Sequence, residues 1–241
     1  MRTSHVAGLL FLAAATLAQQ QPVEITSEPS HHLVLQNEYV RVFDVTVAPK
    51  ATTLIHRHNH DYLFVTLGDS DVVSAHVGEK PAALHLKDGE VRYTPGNFAH
   101  AAVNESDRPF HNITIELLQP SSSVKTCTEK CNDPSYVCGG ICPQKEKRVS
   151  SDQWLASMFS LPPSAQLARH THTLPHLVIA VSDLDLASQS DSGSNSIKHQ
   201  PGWLAWVPAG VTHTLTNNGA KSAQFVTLEF NPEKQSPESL K

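Results

Sequence analysis

The sequence predicts an all-β chain built as two tandem units of the barrel or jelly-roll kind. Three observations carry that reading. Short apolar runs rich in β-branched residues recur along the chain, separated by turn-forming clusters. The 16 Pro and 11 Gly imply many turns and argue against a helical bundle. Finally, two regions share matched offsets. Pro49 stands seven residues before His56 and Pro163 seven before His170, and His58 and His172 follow two places on. His58 to His100 spans 42 residues, and His172 to His213 spans 41. Asn104 and Asn217 lie four residues after the late His, and Glu116 and Glu229 lie 16 after it. Agreement at so many offsets implies an internal duplication.

The elements follow in order. Arg2 and His5 open the chain, and Val6 to Ala18 is an uncharged apolar run. That run is too short to span a bilayer as a helix but suits an export signal, with Thr16-Leu17-Ala18 as small residues before a cut at Gln19. Residues 1–18 are therefore expected to be a signal peptide, an uncleaved anchor being the alternative. The mature protein is expected to be secreted or periplasmic and free of the membrane. Residues 19–30 read as a tether, with His31 and His32 continuing it as tail.

The first unit is expected over 31–120. Tyr39 to Val47 alternates as a strand, Leu63 to Leu67 is a short apolar run, and Asn112 to Leu117 closes the unit. Residues 121–147 read as a connector. Ser121 to Ser123 lead into Cys127, Cys131, Cys138 and Cys142, spaced C-x3-C-x6-C-x3-C. An oxidising compartment favours disulfides. The turn-formers Asn132 to Ser135 and Gly139-Gly140 favour a nested pairing, Cys127–Cys142 with Cys131–Cys138. A four-cysteine zinc knot is the alternative. The second unit is expected over 148–235, with Leu177 to Val181 and Gln224 to Phe230 as strands. Residues 152–157 match 38–44 of the first unit and so read as strand rather than helix. Residues 236–241 form a tail.

The motifs resemble those of the cupin superfamily. Gly202, Pro208, Gly210, His213 and Asn217 read G-x5-P-x-G-x2-H-x3-N, which resembles the second cupin motif. Gly89, Pro95, His100 and Asn104 repeat it in the first half, with Gly96 one place early. His56-x-His58-x3-Tyr62 and His170-x-His172-x3-His176 resemble the first motif, H-x-H-x3-4-E, with its Glu replaced in both halves. Lys50 and Ser164 stand where that motif has a glycine. The resemblance spans most of the mature chain and implies two tandem cupin β-barrels, a bicupin.

Such a fold implies metal binding. Alternate side chains of a strand share a face, so His56 projects with His58 and His170 with His172. His100 and His213 arrive from a facing strand. The expected ligands are His56, His58 and His100 in the first half, and His170, His172, His176 and His213 in the second. The ion would be a divalent transition metal: Fe, Mn, Ni, Cu or Zn. Tyr62 occupies the fourth position of the first half. It is expected to ligate only if the metal lowers its phenol pKa, or else to hydrogen-bond a bound ligand, and it is the one candidate for a catalytic base. His60 extends the alternation, but its counterpart is Leu174. His76, His85, His111 and His199 read as surface or turn residues. Arg41 reads as structural or as a carboxylate anchor, and Trp203 and Trp206 as packing.

Net charge is −5 with no basic block, which argues against nucleic acid. No phosphate loop and no G-x-S-x-G element is present. Asn104-Glu105-Ser106 and Asn112-Ile113-Thr114 match the N-glycosylation triplet. Without the Glu, an all-His ion keeps its full charge and should favour a small anionic ligand. Cupins with three-His sites include dioxygenases, which implies an oxidoreductase acting on a small anion. Oxalate-degrading members usually keep the Glu, so its loss counts against that activity. The alternatives are a non-catalytic small-ligand or metal-binding envelope protein, or a remnant without metal. A monomer or small homo-oligomer is expected.

Overall fold

A computed structural model describes residues 21–119, 124–127 and 144–231. Residues 1–18, expected as a signal peptide, and Cys131, Cys138, Cys142 and residues 236–241 lie outside the described residues. The described chain is strand throughout except for one 3-10 turn, Ile25–Ser27. It forms two sheets per half, packed face to face as a jelly roll. Among the described residues no ladder joins the two sheets of a half into a closed barrel.

In the first half one sheet runs Val23–Glu24, His56–His58, Phe98–Asn104, Ser70–His76, Ala82–Leu86. The other runs His31–Gln36, Val40–Val47, Phe110–Leu117, Tyr62–Leu67, Val91–Thr94. The second half repeats both orders. Gln166–Thr171, Thr212–Asn217, Leu184–Ser190 and Gly193–His199 form one sheet. Lys125–Cys127, Gln144–Ser150, Trp154–Leu161, Ala223–Phe230, His176–Ala180 and Leu204–Val207 form the other. The stretch expected as a connector is therefore strand at both ends, because Lys125–Cys127 pairs antiparallel with Gln144–Ser150. The stretch expected as a tether is built into the first half. Val23 pairs with His56, and Ile25 is buried in the core because its apolar side chain finds Phe43 and Val45 there.

The uninterrupted apolar run Leu63 to Leu67 has a physical reason. Phe64 faces the interior of its own half, while Leu63, Val65 and Leu67 face the second half. A sheet covered on both sides needs apolar residues at every position. The outward faces of the sheets that hold Tyr62–Leu67 and His176–Ala180 meet in one core that includes Val42, Ile115, Trp154 and Leu228. Contacts recur reciprocally across it, as in a two-fold dimer. Tyr39 stacks on Trp206 at 5.3 Å and Tyr93 on Trp154 at 5.9 Å. Gly89 presses towards Val181 and Gly202 towards Leu67.

Three left-handed residues show how the motifs bend the chain. Lys50 and Ser164, at φ 57° and 60°, keep the conformation of the glycine they replace. Asn97, at φ 65°, takes the place of Gly210 at φ 88°. The N–H of Asn97 donates to the His58 carbonyl, and that of Gly210 to the His172 carbonyl, each at 2.7 Å. Asn tolerates the left-handed region, which frees the glycine to move one place. Gly96 uses that place for a close approach: a Cβ there would sit 2.4 Å from the His60 carbonyl carbon.

Gly96→Ala is therefore expected to destabilise the protein by about 1–3 kcal/mol, the range for overpacking against backbone that cannot yield. Chemical denaturation checks this, and an unchanged midpoint contradicts it.

Candidate metal centres

In the second half the short strand Gln166–Thr171 pairs with Thr212–Asn217, and His170 stands directly opposite His213. His172 follows just past the strand end, held by its N–H to the Val211 carbonyl at 2.9 Å. The three rings converge through Nε2. His170 and His172 are 3.2 Å apart at these atoms, and His172 and His213 are 3.1 Å apart. Two nitrogens bound to one ion at about 2.1 Å and a right angle sit about 3.0 Å from each other. The cage therefore fits a single transition-metal ion.

The far sides of the rings are fixed. His170 Nδ1–H donates to the Ala168 carbonyl at 2.8 Å, leaving Nε2 as a lone pair. His213 Nδ1 meets Ser188 Oγ at 3.1 Å. Partners of this kind set the tautomer and orientation of a metal-binding His. His176 does not join the convergent group. Its ring stacks on His172 at 4.1 Å, so the expected fourth imidazole lies beside the cage rather than in it. Glu229 also borders the site, 4.0 Å from His172 Nδ1.

The first half repeats the strand pairing, but the ligand atoms that converge there are those of His31, His56 and His58, and His100 lies outside that group. His56 stands opposite His100. His56 Nδ1–H donates to the Leu54 carbonyl at 2.9 Å, and His100 Nδ1 meets Ser74 Oγ at 2.8 Å. Ring separations are 5.0, 4.6 and 5.2 Å among His56, His58 and His100, against 4.8, 4.7 and 5.1 Å in the second half. His56 Nε2 is buried without a hydrogen-bond partner. A buried acceptor left unpaired costs about 1–3 kcal/mol, and a bound ion would satisfy it. Tyr62 stacks on His58 at 4.2 Å, as His176 does on His172. Burial pushes its phenol up to about 12, so without a bound ion it stays protonated.

The sequence missed several residues here. His31, read as tail, is a buried strand residue beside His56, with a ring separation of 4.6 Å. Glu28 lies behind it. Burial alone would raise the Glu28 carboxyl, but His31 and the Leu54 and Ser30 amides hold it below its usual range. Ser74 and Ser188 stand 26 and 25 residues before the late His, an offset that could have found them. His76, read as surface, lines the first cavity and stacks on Phe98 at 4.4 Å.

Other expectations resolve as follows. His85 is exposed beside Asp71, His111 pairs with Asp44, and His199 stacks on Trp203. His60 is outside the convergent groups. Arg41 faces inward but is held by Glu116 at 2.7 Å, so it is structural. The Asn104 side chain donates to the Val47, Ala48 and Arg108 carbonyls, and that of Asn217 to Leu161 and Lys221. Asn104 and Asn112 are buried, so the folded chain presents neither N-glycosylation triplet.

Each cage opens into a cavity within its own half. The first is about 260 Å³, lined by Val45, Phe64, Leu84 and Phe110 among others, with Arg92 on its wall. The second is about 110 Å³ and includes Trp203, Ile197 and Glu229. Among the described lining residues of both, Glu229 is the single carboxylate.

Burial and, after it, repulsion between neighbouring imidazoles disfavour the charged form of His56, His58, His100, His172 and His213. His56 is pushed down to about 4, His172 to about 3 and His213 to about 4. His58 and His100 are lowered further for the same reasons. The folded state therefore resists protonation that the unfolded chain accepts near 6.5. Below pH 6.5 the unfolded state binds more protons, and stability falls as pH drops towards about 4. The metal-free protein should show a level Tm from pH 8 to 7 and a falling one from about 6.5 down. A level Tm between pH 6.5 and 4.5 contradicts this.

No protein-family model matches the chain, and no curated protein sequence does. Solved structures do. AerE from Microcystis aeruginosa is 13% identical, with a TM-score of 0.58 over 85% of this chain and 98% of its own. Bacillus subtilis oxalate decarboxylase, studied for its Mn(II) centres, is 12% identical, with a TM-score of 0.56 over 89% of this chain and 79% of its own. At these identities the likeness shows the fold, which is that of a two-unit cupin.

Proposed function

We propose that this exported bicupin is a metal-dependent oxidoreductase of the dioxygenase type, acting on a small anionic substrate in the first-half cavity. One observation carries the reading: imidazoles with no carboxylate among them converge at the wall of a partly open, largely apolar cavity. A divalent ion of the Fe, Mn, Ni, Cu or Zn class held there would supply Lewis acidity and a template for substrate and O2. The Mn(II) of oxalate decarboxylase supports the choice of metal class.

The chain's own residues do the rest. His56, His58 and His100 would hold the ion in the first half, and His170, His172 and His213 in the second. Neutral imidazoles leave the ion its full charge, which favours an anion over a neutral ligand. Arg92 adds a cation to the first cavity wall, although its Nε already donates to Glu90 at 2.7 Å. Its counterpart in the second half is Ala205, since Arg92 pairs with Phe64 and Ala205 with Val178. Val45, Phe64, Leu84 and Phe110 exclude water. Tyr62, protonated, can donate a hydrogen bond towards the site.

The complete second motif points to the second half, but the roomier and more cationic cavity is in the first. A second reading, a non-catalytic envelope protein holding metal or a small ligand, is favoured by one observation. Among the described residues no carboxylate lines the first cavity, and burial raises the Tyr62 phenol, which disfavours its ionised form.

Metal analysis of the mature, untagged protein should find about one or two ions per chain. His170→Ala and His213→Ala should each abolish loading of the second centre while the first persists. The Fe(II)-loaded protein should consume O2 with at least one member of a panel of catechols, diketones, thiols and oxalate. Silence across that panel, with Tm raised by one of its members, would select the non-catalytic reading. Absence of metal after reconstitution contradicts both.

A further inference from the structure

The first half holds a histidine that the second lacks. His31 begins the edge strand His31–Gln36. The strand in the corresponding place, Gln144–Ser150, contains no His. His31 reaches the site because the chain before it is anchored there. Val23–Glu24 pairs parallel with His56–His58, Ile25 is buried, and the 3-10 turn brings Glu28 under the cage.

Glu28 is 3% exposed and accepts three hydrogen bonds. The amides of Ser30 and Leu54 donate at 2.8 and 3.1 Å, and His31 Nδ1–H donates at 2.6 Å. That bond occupies Nδ1 and leaves Nε2 as the open lone pair of the ring. One ring nitrogen from each of His31, His56 and His58 lies within 4.8 Å of the others, and His56 Nε2 is buried without a hydrogen-bond partner. The ring separations of His56, His58 and His100 match those of the second half, while the ligand atoms that converge on one point are those of His31, His56 and His58, so His31 completes a set that His100 borders.

We infer that His31 is a fourth imidazole ligand of the first-half centre, and that Glu28 behind it supplies negative charge where Tyr62 has replaced a ligating carboxylate. The inference rests on the metal-binding reading above. A carboxylate bonded to the far nitrogen fixes the tautomer and raises the basicity of the ring. The first centre then has four imidazoles with an acid one ring removed, and the second has three. The first should hold its ion more tightly.

The test uses the full mature chain carrying His170→Ala, which leaves the first centre alone to be read. Zn(II) affinity is measured by competition with a chromophoric chelator, and the ligand set by the visible spectrum of the Co(II) form. His31→Ala should weaken Zn(II) binding by at least about 10–100-fold and change the Co(II) spectrum. Glu28→Gln should weaken binding by about 10-fold and keep the four-nitrogen spectrum. Should His31→Ala fail to fold, His31→Gln retains an amide donor for Glu28 and should lose the ligand alone. Unchanged affinity and spectrum in the His31 variants overturn the inference. Failure of the His170→Ala parent itself to bind Zn(II) overturns instead the metal-binding reading of this half.

Discussion

In both halves a short strand bearing a histidine pairs antiparallel with the strand bearing the late one, and the partners are His56 with His100 and His170 with His213. Everything at the two centres follows from that register. Side chains alternate along a strand, so a slip of one residue would turn the late His out of the cage. The register is held from both ends. At one end a left-handed residue returns its N–H to the carbonyl of the second His. At the other, buried Asn104 and Asn217 clamp the end of the late strand to the carbonyls of Val47 and Leu161. Asn at the fourth place after the late His is thus a structural clamp.

The second constraint is the double-faced sheet. Because the sheet that holds Tyr62–Leu67 in the first half, and the one that holds His176–Ala180 in the second, are covered on both sides, they form a wall between the halves, and each cage is built on the far side of that wall. The two centres can therefore diverge while the interface between them stays reciprocal. They have diverged. Arg41 opposite Glu116 in the first half corresponds to Leu155 opposite Glu229 in the second. The locked ion pair of one site thus becomes a carboxylate bordering the cavity of the other.

Much of this was legible in the chain. The duplication, the strand pattern and the histidines His56, His58, His100, His170, His172 and His213 could be read from spacing, because cross-strand geometry converts directly into fixed offsets. What escaped lacked a repeat or a local signal. His31 lies on a strand whose counterpart, Gln144–Ser150, has no His, and the partners of Glu28 and His31, Leu54 and His56, lie 26 and 25 residues beyond them, respectively. His176 has the right chemistry at the right spacing, but stacking on His172 decides its orientation. The shift of glycine to position 96 is a departure in sequence that preserves the turn, since Asn97 carries the left-handed conformation. The N-glycosylation triplets failed because burial of Asn104 and Asn112 is a property of the fold.

Two separate all-imidazole cages, each fit to hold one divalent ion, would define this protein's chemistry. Anomalous diffraction from crystals of the metal-loaded protein tests this most directly. The account predicts one peak among His56, His58 and His100, and another among His170, His172 and His213, with no carboxylate oxygen bound to either ion. Peaks elsewhere in the fold, or a Glu229 carboxylate in place of an imidazole, would contradict it.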